Sequence, residues 1–358
     1  MGPQTLCESL RKWQWLVVVS LVGCLPGPVK PPQDAGMSVE DAGVTDAGVT
    51  VRLVPKWTAT TDAPVSTGVW GTVLSFDPVD RRFIMHGGNT STNTVSSDTW
   101  SFSVATKQWT KLTTTGDAPP VRYCHCAAYL PGQKQVLIVG GRDRSALVNT
   151  AYTLDLQTLA WTQVTGTVPT GAIGCTAHWM PTQQRAIVFG GDSPSGVNDR
   201  TWSYDPVARA FTLLMPAARA FARRDAMSIY DPVQDRLFMF GGAVQITQQY
   251  LDDVAMFDGT TWANFFAPDP HPSRRRYGAS GYDALHSKWL LFSGTNDQDD
   301  FDDLWVIDTV TFEFNRVMAP GPVKRGFAAS GVDEVTGTLY VFGGLWSTGG
   351  RCSSRRGE

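Results

Sequence analysis

A glycine doublet that follows a short apolar strand recurs along this chain at a nearly constant interval. No other feature narrows the possible folds as much. The segments FIMHGG, VLIVGG, AIVFGG, LFMFGG, LLFSG and LYVFGG place the doublets at 87–88, 140–141, 190–191, 241–242, 293–294 and 343–344, with Ser293 standing for the first glycine of the fifth. Successive spacings are 53, 50, 51, 52 and 50 residues. A period of this length marks stacked units, each too small to hide its own apolar faces. The repeat assigns a structural role to Gly87, Gly88, Gly140, Gly141, Gly190, Gly191, Gly241, Gly242, Gly294, Gly343 and Gly344. Glycine there lets neighbouring backbones approach closely and permits a left-handed turn out of the strand.

Each unit reads as four short strands. Eleven residues before each doublet stand Phe76, Tyr129, Trp179, Tyr230, Tyr282 and Val332, separated from the apolar strand by turns such as DPVDR, PGQK and DPVQD. These turns predict a hairpin. A third strand ending in Asp follows in most units (YTLD, WSYD, AMFD, WVID), and a fourth carries Trp109, Trp161, Phe211, Trp262 and Phe314. Four alternating strands per unit make a propeller blade, so the sequence predicts an all-β, six-bladed β-propeller over residues 53–358. The pattern resembles the Kelch repeat in its apolar strand with Gly-Gly, its third-strand aromatic with Asp, and its fourth-strand Trp. Trp57 stands 12 residues before Val69, within the range seen in the other units, so 53–58 reads as a displaced fourth strand that closes the last blade, as the resemblance implies. The tail from 345 to 358 has no aromatic suited to a third strand after Trp346 and no Asp, which predicts an incomplete last blade with an exposed edge.

The chain begins differently. Arg11 and Lys12 precede an apolar run, Trp13 to Val22, that ends in Leu-Val-Gly-Cys at residue 24. The run is too short to cross a bilayer but suits a secretory leader. It resembles a bacterial lipobox, which implies a signal peptide over 1–23, lipidation of Cys24 and a site in the cell envelope, as an outer-membrane lipoprotein or a secreted protein. Residues 24–52 are rich in Pro and in Asp-Ala-Gly triplets, the composition of a solvated, disordered spacer.

Net charge is −3 and only 18% of residues are charged, which gives no basis for nucleic-acid binding. Arg122, Arg223, Arg275 and Arg325 each stand 18 residues before the first residue of a doublet. With Arg224, Arg276, Tyr123 and Tyr277 they form a candidate ligand face at the blade entries, suited to carboxylates or glycans. In some peptide-binding members of the resembled family, arginines at this place contact acidic ligands. The alternative is that these arginines brace the blades. In the loop 296–303, Asp297, Asp299 and Asp300 invite a hard cation, but the loop departs from the known calcium pattern and a solvated turn is the better reading. Cys124-His125-Cys126 cannot converge on one ion from a strand, because its side chains alternate. Cys175 aligns with His125, so strand parity predicts no disulfide between Cys175 and the Cys pair. No catalytic constellation and no cofactor motif can be placed. The function expected from the sequence is a lipid-anchored, monomeric scaffold for a protein or glycan. Its alternatives are a carbohydrate-active propeller enzyme and a truncated copy without function.

Overall fold

A computed structural model describes residues 16–22, 54–60, 69–90, 92–244, 249–296, 298–317 and 324–345. It is an all-β propeller, with no helix among the described residues. Five blades are built from consecutive antiparallel strands. The first comprises Leu74–Asp77, Arg82–His86, Thr99–Ser103 and Trp109–Lys111. The second runs from Cys126–Leu130 to Ala160–Gln163, the third from Thr176–Met180 to Ala210–Leu214, the fourth from Met227–Asp231 to Trp262–Phe266, and the fifth from Ala279–Asp283 to Phe314–Val317.

The structure thus builds five complete blades where the sequence predicts six. Among the described residues the sixth unit contributes the hairpin Ala329–Asp333 and Thr338–Phe342. Its outer neighbours come from the N-terminal side. Leu16–Val22 pairs with Thr338–Phe342, and Val54–Thr60 pairs with Leu16–Val22. In this pairing Trp57 sits opposite Val19, as Phe314 sits opposite Ile307 and Trp161 opposite Leu154. The tail from 346, where an absent third strand was expected, lies outside the described residues.

The core is a series of clusters, each shared by neighbouring units. Ile84 of the first blade packs with Val136, Ile138 and Trp161 of the second. Phe83 and Phe102 pack with Tyr340 and Phe342 of the hairpin. The fourth-strand aromatics lean on the preceding blade. Trp262 donates its indole N–H to Thr201 Oγ1 at 2.9 Å and contacts Phe189, while Trp109 contacts Phe342. This is how a sheet with two apolar faces is buried when no second layer exists.

The doublets hold the units together. The second glycine donates its N–H to the carbonyl of the next unit's entry residue: Gly88 to Arg122 at 2.8 Å, Gly141 to Ala172 at 3.1 Å, Gly191 to Arg223 at 3.0 Å, Gly242 to Arg275 at 2.8 Å, Gly294 to Arg325 at 3.1 Å and Gly344 to Val69 at 2.9 Å. A Cβ on the preceding glycine, Gly190, would come within 2.4 Å of the Arg223 carbonyl oxygen, and Gly190 has φ +68°. Ser293 takes the same left-handed conformation at φ 65° and uses its hydroxyl to donate to the Arg325 carbonyl.

One expectation is overturned. Cys126 and Cys175 form a disulfide, with Cα atoms 5.5 Å apart, that ties the inner strand of the second blade to the entry of the third. Strand parity failed as a guide because Cys175 precedes the strand Thr176–Met180 and directly follows Gly174, which has φ +66°. That left-handed residue rotates the chain just before the pleat begins. Cys124 remains a free thiol.

Candidate functional site

Two residues after each blade-entry position the backbone turns left-handed. Gly71, Cys124, Gly174, Asp225, Tyr277 and Phe327 have φ between 54° and 66°. Their main chains join in a closed ring: Cys124 N–H donates to Gly71 O, Gly174 to Cys124, Asp225 to Gly174, Tyr277 to Asp225, Phe327 to Tyr277 and Gly71 to Phe327, at 2.6–3.1 Å. The ring caps one end of the axial channel. A cavity of about 540 Å³ runs below it between the inner strands, lined from Thr72, Ala226, Gly278 and Ala328 near the ring down to the turns at Pro78, Pro131, Pro181 and Pro232. In its wall His178 Nε2 lies 2.8 Å from Ser228 Oγ, and burial holds the imidazole down at about 4.

The residue before each ring member also pairs back to the residue after its own doublet, as Tyr123 does with Arg142, Arg224 with Ala243 and Arg276 with Thr295. These residues and the ring side chains form one patch, the bowl, on the outer side of the ring. One half is aromatic. Tyr277 stacks on Phe327 with ring centres 3.4 Å apart, and Trp70 packs edge-on against Phe327 and Tyr123 at 5.3 and 5.1 Å. The other half is charged. Arg224 lies 3.6 Å from Asp225 and 3.9 Å from Asp192, Arg276 lies 3.7 Å from Asp225, and Arg142 lies over Tyr123.

Asp225 is the electrostatic centre of the bowl. Its side chain is fully buried, and burial raises its carboxyl to about 6 against the pull of Arg224 and Arg276. A carboxyl held above its unfolded value of 3.8 binds its proton more tightly in the folded state. Its contribution to stability therefore falls as pH rises from about 4 to about 6 and is constant above. Relative to Asp225→Asn, the wild-type protein is expected to lose about 3 kcal/mol across that window, from roughly two units at 1.36 kcal/mol each. Urea unfolding at pH 4, 5, 6 and 7 checks it; parallel curves for the two proteins would contradict it.

The sequence-derived site residues divide cleanly. Arg224, Arg276, Tyr123 and Tyr277 line the bowl. Arg122, Arg223, Arg275 and Arg325 do not, being at most 4% exposed. Each donates across the 18-residue interval to the carbonyl after the second strand of its own unit: Arg122 to Gly140, Arg223 to Gly241, Arg275 to Ser293 and Arg325 to Gly343, at 3.0–3.2 Å. Arg223 also makes a two-pronged ion pair with Asp253, Arg275 makes one with Asp303, and Arg122 reaches Thr150. Their spacing records a brace inside each unit rather than a ligand face. Trp70, Arg142, Asp192 and Asp225 were missed. Aligning the residue before each ring member would have found Trp70, which shares that position with Tyr123, Arg224 and Arg276.

Asp297 lies outside the described residues. Asp299 and Asp300 belong to a tight turn in which Asn296 Oδ1 accepts the N–H of Asp299. No group of three metal-ligating side chains occurs among the described residues.

Residues 73–281 match the family model described as the KLHDC2/KLHL20/DRC7 Kelch-repeats domain. The chain is similar to acyl-CoA-binding domain-containing protein 4 of Arabidopsis thaliana, 26% identical over 70% of this chain and 38% of that protein. It is similar to acyl-CoA-binding domain-containing protein 5 of the same plant, 25% identical over 66% and 38%. It also resembles the human Rab9 effector protein with kelch motifs, 29% identical over 43% of each chain. The chain spans well under half the length of these relatives.

Proposed function

The chain belongs to the Kelch-repeat family, and from that premise we propose that it is a lipid-anchored scaffold, held outside the cytoplasm, whose bowl grips an acidic segment of a partner protein. The Kelch-repeat domain itself points to a protein-binding scaffold. One observation carries the finer reading: three guanidinium groups, on Arg142, Arg224 and Arg276, and a set of aromatic rings, Trp70, Tyr123, Tyr277 and Phe327, are brought together from separate units. Arginine offers paired donors to a carboxylate, and the aromatic rings accept the apolar part of the same segment. The Cys126–Cys175 disulfide supports an oxidising compartment.

Binding to an array of acidic and neutral peptides tests this reading. Arg142→Ala and Arg276→Ala are each expected to weaken an acidic binder by roughly tenfold or more, the worth of one charge-assisted hydrogen bond. Binding that ignores peptide charge, or that both variants retain, would overturn it.

We read the ring as six blades closed by the N-terminal strand, with Trp57 in the fourth-strand place. Leu16–Val22 then has two claims on it, as leader and as third strand. Intact mass of the protein recovered from a bacterial envelope decides between them. A chain that starts at an acylated Cys24 supports the lipoprotein; one that starts at Met1 supports the retained strand.

A further inference from the structure

The bowl already holds a carboxylate of its own. Asp225 lies 3.6 Å from Arg224 and 3.7 Å from Arg276, with its side chain wholly out of solvent. Neither of its oxygens has a hydrogen-bond partner among the described residues, and the Nε of Arg224 is likewise buried without one. Buried carboxylates ordinarily collect hydrogen bonds. An arrangement held by charge alone is readily exchanged for one that adds hydrogen bonds to the charge. Around the three residues stand the Cys124 thiol, the Tyr277 phenol, Asp192 and Arg142. Burial pushes the thiol and the phenol up, so neither changes charge near neutrality.

The side chains of Arg224 and Arg276 keep 11% and 14% exposure, so an acidic partner reaches them from the outer side. A carboxylate arriving there meets cations whose counter-charge is already present. Two carboxylates that share one pair of cations, within about 6 Å of each other, repel. The buried one takes the proton, because its charge costs more to keep out of water. Ligand and proton then bind together, and each strengthens the other by the same factor.

We infer that Asp225 is a built-in rival of the acidic partner, and that it takes up a proton when the partner's carboxylate pairs with Arg224 and Arg276. The inference rests on the acidic-segment reading above and adds its regulation. One proton passes from solvent to Asp225, and an ion pair inside the protein gives way to one with the partner. Burial already raises this carboxyl to about 6 in the free protein. The coupling therefore operates above that pH and vanishes below it, where Asp225 is neutral before the partner arrives. Affinity rises as pH falls toward 6 and is level at lower pH.

Titration calorimetry of the intact protein tests this, with N-acetylated, C-amidated hexaglutamate as the probe and hexaglutamine as its neutral control. From pH 8 to pH 6 the wild type is expected to tighten on hexaglutamate by about tenfold, the effect of a one-unit rise in the Asp225 carboxyl on binding. Asp225→Asn, neutral at every pH, is expected to hold the tighter affinity at both. Heats measured at pH 7 in two buffers of different ionisation enthalpy read the proton on the wild type alone, and uptake is expected. Equal affinity at both pH values with no proton taken up, or a pH dependence that Asp225→Asn retains, sinks the inference and leaves the acidic-partner reading standing. If hexaglutamate binds no better than hexaglutamine to either protein at either pH, the acidic-partner reading fails and takes the inference with it.

Discussion

Arg223→Ala is expected to lower the unfolding free energy by about 3–5 kcal/mol, the cost of leaving one partner of a buried ion pair alone. Arg223 and Asp253 are both at most 1% exposed, and two bonds of 3.0 and 2.7 Å join them. Without the guanidinium, Asp253 has no other ion-pair partner among the described residues, and the Gly241 carbonyl loses a donor in the same step. Arg122→Ala is the internal comparison. Its side-chain partner is Thr150, a neutral hydroxyl, so the loss should be about 1–3 kcal/mol, the range for unsatisfied neutral groups. Urea unfolding of both variants decides the ranking. If instead Arg223→Ala unfolds like the wild type and loses peptide binding, the arginines return to the ligand face that their sequence spacing first suggested.

Loss of the Cys126–Cys175 bridge is the second large effect. The two residues are separated by 49 positions, and closing a loop of that length removes about 4 kcal/mol of chain entropy from the unfolded state. The double variant Cys126→Ser, Cys175→Ser is expected to unfold at correspondingly lower urea, and the wild type under reductant should move to meet it. Coincident transitions for oxidised wild type, reduced wild type and the variant would show that the bridge contributes nothing. The loss should be felt first at the seam between the second and third blades, where Cys126, Ala128, Leu137, Val188 and Tyr204 share one apolar cluster. Hydrogen exchange of the strands Gln135–Val139 and Arg185–Phe189 reads that seam directly.

The fold was legible because its main joint is a backbone hydrogen bond made at a left-handed doublet, which, Ser293 apart, is glycine throughout. Wherever a second glycine meets the next unit's entry carbonyl, the sequence shows the doublet, and its spacing measures the unit. The four arginines were equally visible, and their interval of 18 corresponds to a real contact, from each guanidinium to the carbonyl after the second strand. Spacing alone does not say whether such a contact points inward. Consecutive residues of an extended chain face opposite sides, so Arg224 and Arg276 reach the bowl while the arginine before each stays inside. The disulfide was hidden because alternation in a strand says nothing about Cys175, one residue outside it. The Asp225 cluster was hidden by distance, because Arg224, Arg276 and Asp192 meet only once the units stand around a common axis.

The closed ring of main-chain bonds makes the centre of this wheel indifferent to its own lettering. Glycine, cysteine, aspartate, tyrosine and phenylalanine all occupy equivalent stations in the same left-handed turn, although a Cβ at Gly174 would come within 1.9 Å of Asp225 Oδ1, so that station also asks for the absence of a side chain. A hub of that kind separates the part that bears load from the part that discriminates. Side chains beside the ring, such as Trp70 and Arg142, can then be exchanged while the hydrogen-bonded frame that presents them is left as it was.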